Sequence, residues 1–125
     1  MKNRREFVRV EVPVEADITL EGRCFTAMVI DVSMAGTFLA CDAQAALGTV
    51  CSVVLFLDGR GGESRIEAAG KVVRVVDAGL GVEFEELVGL DSYWHLRSLV
   101  VFNADDPEQA EREVEEHIGI RRSES

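Results

Sequence analysis

From Val8 to Leu20 the chain alternates apolar and polar residues almost without a fault. Val8, Val10, Val12, Val14, Ala16, Ile18 and Leu20 fall on one face, and Arg9, Glu11, Glu15, Asp17 and Thr19 on the other. A period of two belongs to a half-buried strand, and strand-like runs recur along the next 65 positions between turn signals. Pro13 cannot donate to a ladder, so a bend, a bulge or an edge is expected there. Glu21-Gly22 turns the chain into a second strand over 23–32, broken by Asp31-Val32-Ser33-Met34-Ala35-Gly36. A third strand is predicted over 37–41, then a connection over 42–48 with a helical turn at 43–46. The fourth, over 50–57, is apolar on both faces, as suits a central strand. Asp58-Gly59-Arg60-Gly61-Gly62 is a dense turn signal. It leads to a fifth strand over 64–76, where Gly70 suggests a bulge or barrel corner, and Asp77-Ala78-Gly79 leads to a sixth over 80–85. Six strands joined by tight turns specify a mainly β fold, a small antiparallel barrel or sandwich.

After Glu85 the period changes. Leu87, Leu90, Trp94, Leu96, Leu99 and Val100 recur at helical spacing, so a helix over 87–102 is expected to pack on the barrel, with Trp94 in the core. Asp106-Pro107 reads as an N-cap followed by proline at the first helical position. It opens an acidic helix to Ile118 whose apolar stripe is only Ala110, Val114 and Ile118, and 121–125 reads as a frayed tail. That stripe is too thin to hold the helix alone. Residues 1–103 are therefore read as one domain, with 1–9 a flexible arginine-bearing segment, and 104–125 as an acidic C-terminal helix and tail.

Composition narrows the function. With 125 residues, 47% hydrophobic and 29% charged, the chain supports one globular domain. No apolar run spans a bilayer and no apolar segment follows the basic N-terminus, so no membrane insertion and no signal peptide are expected, and the cytoplasm is the expected compartment. Cys24, Cys41 and Cys51 lie in apolar segments with no CxxC spacing and read as small buried hydrophobes. Two histidines leave few ligands for zinc. A net charge of −10 argues against DNA or RNA as a partner. No nucleophile–base pair, metal cluster or P-loop is visible, so an enzyme is the poorest fit.

Against that acidic background, Lys2, Arg4, Arg5 and Arg9 gather four of the 13 cationic residues into nine positions. Such a cluster suits a small anionic ligand. The spacing Arg5-x-x-x-Arg9 followed by Asp31-x-Ser33-x-x-Gly36 resembles the signature of PilZ domains, bacterial receptors for cyclic di-GMP. Gly70-Lys71-Val72-Val73-Arg74-Val75 and Gly79-Leu80-Gly81-Val82-Glu83-Phe84 are also similar to the family, so the resemblance covers about 4–102.

The resemblance implies a six-stranded antiparallel PilZ-type β-barrel with a C-terminal α-helix; the acidic terminal helix lies outside it. It also implies cyclic di-GMP as ligand, no further cofactor, and an N-terminal arginine segment that folds over the barrel. Arg4, directly before the motif, implies a stacked pair of ligands. The chemistry agrees. Arginine makes bidentate bonds to phosphate and to guanine O6/N7 and stacks on purines. Asp31 can accept from a guanine N1–H and N2–H₂ edge, Ser33 supplies a hydroxyl, and Gly36 admits close backbone approach to the ligand. Arg74 is an additional candidate, though an exposed strand arginine is the commoner use of such a residue. Two readings follow: a receptor that passes its signal to an unidentified downstream protein, or a PilZ-fold adaptor that binds no nucleotide and acts through protein contacts alone.

Overall fold

The computed structural model describes residues 8–116 and 121–123. Six strands, β1 (Glu15–Leu20), β2 (Arg23–Val32), β3 (Gly36–Ala40), β4 (Val50–Phe56), β5 (Arg65–Val76) and β6 (Gly79–Val88), precede α1 (Gly89–Asn103), α2 (Pro107–Glu116) and a short β7 (Arg121–Ser123). The strands run in the order β3-β2-β1-β4-β5-β6, and β3 also pairs with β6, which closes an antiparallel barrel. Ile18, Leu39, Leu55, Ile66, Leu80 and Leu87 fill its interior, all fully buried.

The alternation of the first segment holds as a burial pattern but not as one ladder. Val10 exchanges hydrogen bonds of 2.9 Å with Val32 as an isolated bridge, and regular pairing begins only at Glu15. Pro13 has no N–H to give. Beside it, Val14 N–H donates to its near neighbour Val12 at 2.9 Å, while Val29 N–H bonds to the Val14 carbonyl at 2.8 Å. The chain thus bends into the barrel at the predicted place.

Several elements differ from the sequence reading. The 42–48 connection has no helical turn; Thr49 ties back to the Ala46 carbonyl through its N–H and hydroxyl. β4 is flanked by strands on both edges but buried mainly on one face, with Phe56 at its end the buried residue of the other. Cys51, Val53 and Leu55 point inward while Val50 is 72% exposed, because a barrel has a single interior. Cys51 alone of the cysteines is buried; Cys24 is exposed and Cys41 half-buried. β6 runs three residues beyond the expected end. Leu87 is therefore a strand residue facing Ala68, and the left-handed Gly89 (φ +84°) redirects the chain into α1.

α1 lies across β5 and β6 and buries Leu96, Val100 and Val101. Ser92 Oγ accepts the Glu67 N–H at 2.9 Å, and His95 Nδ1 donates to the Arg65 carbonyl at 3.0 Å. Trp94 is not in the core: it is 50% exposed. Leu96 and Trp94 sit two positions apart, which places them on different sides of a helix, and the barrel takes Leu96. α2 starts as predicted, with Asp106 Oδ1 accepting from Gln109 N–H at 3.2 Å. It packs on α1 through Ala110, 1% exposed, and an Arg97–Glu111 ion pair. The predicted end of this helix, at 118–119, lies outside the described residues. Residues 121–123 of the segment read as a frayed tail instead form β7, parallel to Glu86–Val88 of β6. β3 pairs only with residues 79–83 of β6, so the far end of β6 retains an open edge that another strand can use.

Candidate functional site

The bend at Pro13 and the end of β2 bring the two motifs together. Arg9 Nη1 lies 2.8 Å from Asp31 Oδ1, with 44% and 26% of the two side chains exposed. Arg4 and Arg5 lie outside the described residues. A bulge at Ile30 shifts the β2 register between Val29 and Asp31, so Asp31 falls opposite Phe38 of β3.

The turn between β2 and β3 is built by the motif itself. Ser33 is 1% exposed; its Oγ accepts the Ala35 N–H at 3.1 Å and its own N–H bonds to the Gly36 carbonyl at 2.8 Å. Thr37 Oγ1 donates to the Asp31 carbonyl at 2.7 Å. Gly36 is required by packing: a Cβ there would stand 2.1 Å from the Val82 carbonyl oxygen across the β3–β6 pair. β6 therefore runs close against the backbone at Gly36. Thr37 thus ties down the Asp31 backbone, while Ser33 braces the turn and Gly36 packs against β6.

Asp31, Phe38, Gly81 and Arg74 occupy one continuous row across β2, β3, β6 and β5. Gly81 has no side chain, and a Cβ there would meet Arg74 Cβ at 2.9 Å. Arg74 therefore leans across the gap, with its guanidinium carbon 5.3 Å from the centroid of the Phe38 ring. Such a contact is a cation–π pair. The row thus presents Arg9 paired with Asp31 at one end and Arg74 on an aromatic face at the other. Lys71 stands further along β5, 3.8 Å from Glu83 and 3.7 Å from Glu85. Among the described residues no cluster of His, Cys, Asp and Glu has metal-binding geometry.

Phe38 was missed in the sequence because a phenylalanine in a strand carries no local mark of function. Its signal is the register, which pairs it with both Asp31 and Gly81. A half-buried aromatic ring between two guanidinium groups, beside a carboxylate, can hold a flat heterocycle carrying negative charge.

Comparison with known proteins places this geometry in context. The model of the PilZ domain family matches residues 3–116. No curated protein matches the chain. Among solved structures, the PilZ domain with c-di-GMP of YcgR from Escherichia coli is similar over 92% of this chain and 99% of that one, with TM-score 0.60 and 12% identity. The inhibitor of motility MotI/DgrA of Bacillus subtilis aligns over 77% of this chain with TM-score 0.62 and 17% identity; the aligned part is 49% of that longer protein. The PilZ domain of CeSA from a cellulose-synthesizing bacterium aligns over 74% of this chain and 93% of that one, with TM-score 0.54 and 16% identity.

Proposed function

This chain belongs to the PilZ domain family, and from that premise we propose that it is a receptor for cyclic di-GMP. Arg4, Arg5, Arg9, Asp31, Ser33 and Gly36 carry the site, and Arg74 with Phe38 extends it. The observation that supports this most is the 2.8 Å contact between Arg9 and Asp31, which joins two motifs far apart in sequence at one place on the barrel.

Binding proceeds by exchange. Asp31 gives up Arg9 and accepts from a guanine edge, while the freed guanidinium turns to phosphate and guanine acceptors. Arg4 and Arg5 close the N-terminal segment over the nucleotide. A stacked pair of ligands brings four phosphate charges, and the third arginine, Arg4, offsets part of them. Contacts made only in the closed state shift the population toward it, and the altered surface is read by a downstream protein. The role is that of a receptor and adaptor in the cytoplasm, with no catalysis, no nucleic-acid partner and no membrane insertion. Residues 1–103 suffice for the nucleotide, and 104–125 stand outside its site.

One observation favours the second reading, an adaptor without nucleotide. Arg9 and Asp31 already satisfy each other, and Ser33 and Gly36 have structural work in the turn. A thermal shift titration separates the two. Saturating cyclic di-GMP raises the melting temperature of the receptor, because a ligand that binds only the folded state stabilises it by mass action; no shift at millimolar ligand removes the receptor reading. Arg4→Leu lowers the ligand-to-protein ratio measured by calorimetry, and an unchanged ratio removes the stacked pair.

A further inference from the structure

α1 is apolar on more of its circumference than the barrel covers. Its inner side buries Ser92, Leu96 and Val100, and Val101, seven residues on from Trp94 and so on the outer side, is buried as well. Its outer side carries Leu90, Trp94 and Phe102, which are 46%, 50% and 79% exposed. Steps of four residues link Leu90, Trp94, Ser98 and Phe102 into one continuous stripe, about 18 Å long at the rise of a helix. A helix that is apolar all round is normally buried all round. Here one side is open.

The borders of the stripe are acidic. Asp91 lies beside Leu90 in the first turn of α1, and α2 runs alongside with exposed Glu108 and Glu111. Arg97, which lies against the stripe, is held over Trp94 at 5.6 Å and paired with Glu111. From Asp105 to Glu116 the sequence has seven carboxylates against a single arginine. Both suit the docking of an amphipathic helix: apolar anchors at helical spacing with carboxylates beside them.

We propose that the outer face of α1, bordered by α2, docks a basic amphipathic helix of a partner protein. The partner places an apolar stripe on Leu90, Trp94 and Phe102 and sets lysines or arginines against Asp91, Glu108 and Glu111. A second copy of this chain does not fit, since it would bring another net charge of −10 and the same acidic border to the contact. The proposal gives a surface to the adaptor part of the function above but does not need the nucleotide to bind.

Trp94 is the only tryptophan in the chain, so its fluorescence reports on this face alone. The test titrates the full chain with a synthetic helical peptide of leucine and lysine in amphipathic order. The expected result is a blue shift that saturates, weakens at least tenfold between low and high salt, and is absent with a leucine–glutamate peptide of the same pattern. Leu90→Ser with Phe102→Ser, both at exposed positions, lowers peptide affinity at least tenfold with the thermal melt unchanged. Asp91→Asn with Glu108→Gln reduces the salt dependence. No blue shift, an equal response to the acidic peptide, or unchanged affinity in the serine variant overturns the proposal. So does concentration-dependent self-association that Phe102→Ser abolishes, because the occupant would then be a second copy. Cyclic di-GMP calorimetry on the same samples reads the nucleotide site separately. Peptide binding without nucleotide binding refutes only the receptor reading.

Discussion

Arg9 Nη1 and Asp31 Oδ1 meet at 2.8 Å on the barrel surface, one from each of the two sequence motifs. Both side chains are partly open to water, where the Coulomb gain of an ion pair is offset by hydration and by side-chain entropy. The pair is therefore expected to matter little for stability. In a double-mutant cycle with Arg9→Ala and Asp31→Ala, chemical denaturation should give a coupling energy below about 1 kcal/mol. A coupling of several kcal/mol would make the pair a structural clamp and contradict the exchange of partners proposed for it.

Gly36 is the opposite case. Because a Cβ would reach within 2.1 Å of the Val82 carbonyl oxygen, Gly36→Ala must push β3 from β6 at the closure of the barrel. The expected loss is about 3 kcal/mol, the upper end for overpacked buried sites, because the clash is with backbone. Gly22→Ala has open space around its Cβ but a φ of +82°, and should cost about 1 kcal/mol. Equal losses in the two denaturation curves would refute this account of Gly36. The contrast matters for the nucleotide site too, since a binding defect in Gly36→Ala would reflect the fold.

Phe38 and Arg74 are expected to act together on ligand affinity. Stacking a base on an aromatic ring contributes about 1–3 kcal/mol, so Phe38→Leu should weaken cyclic di-GMP binding about tenfold or more while leaving the melt nearly unchanged. Arg74→Leu should have a smaller effect in the same direction, measured by calorimetry. Unchanged affinity in both variants would leave the row as a structural feature only.

The fold was legible where its causes are local. Alternation, the Gly-rich turn at 58–62 and the Asp106-Pro107 cap are properties of neighbours in sequence, and the elements that rest on them are found, although the first strand is regular only from Glu15. What was not legible depends on partners distant in the chain. Trp94 and Leu96 share one helical segment, and only the position of the barrel decides which is covered. β7 depends on β6 outrunning β3, a difference in strand length that no local pattern records. The motif residues were read as one ligand site, and the sequence did not show which of them the fold itself uses. Asp31 and Arg9 reach the surface, whereas Ser33 and Gly36 are turned to the turn and to β6 by contacts that only the register shows. Phe38 became visible for the same reason.

Cys51 gives a pH test of the core. Burial, and secondarily the negative charge of Glu85, push its thiol up to about 11 from 9.0. A pKa raised by folding means that the unfolded chain loses this proton first. The corresponding stability is complete below about pH 9 and is lost as pH rises toward 11, up to about 2–3 kcal/mol for a shift of this size. Other groups titrate in that window, so the comparison is with Cys51→Val. The variant should show a shallower alkaline loss of stability than the parent, and parallel curves would contradict the burial argument.

Whether this chain is a receptor is decided by titration calorimetry with cyclic di-GMP, run on the parent chain and on Arg9→Ala with circular dichroism melts of both. The parent should give saturable heat and Arg9→Ala should lose measurable binding, with melting curves that nearly coincide, since the Arg9–Asp31 pair contributes little to the fold. No heat from the folded parent at saturating ligand, or undiminished binding by Arg9→Ala, would contradict this expectation.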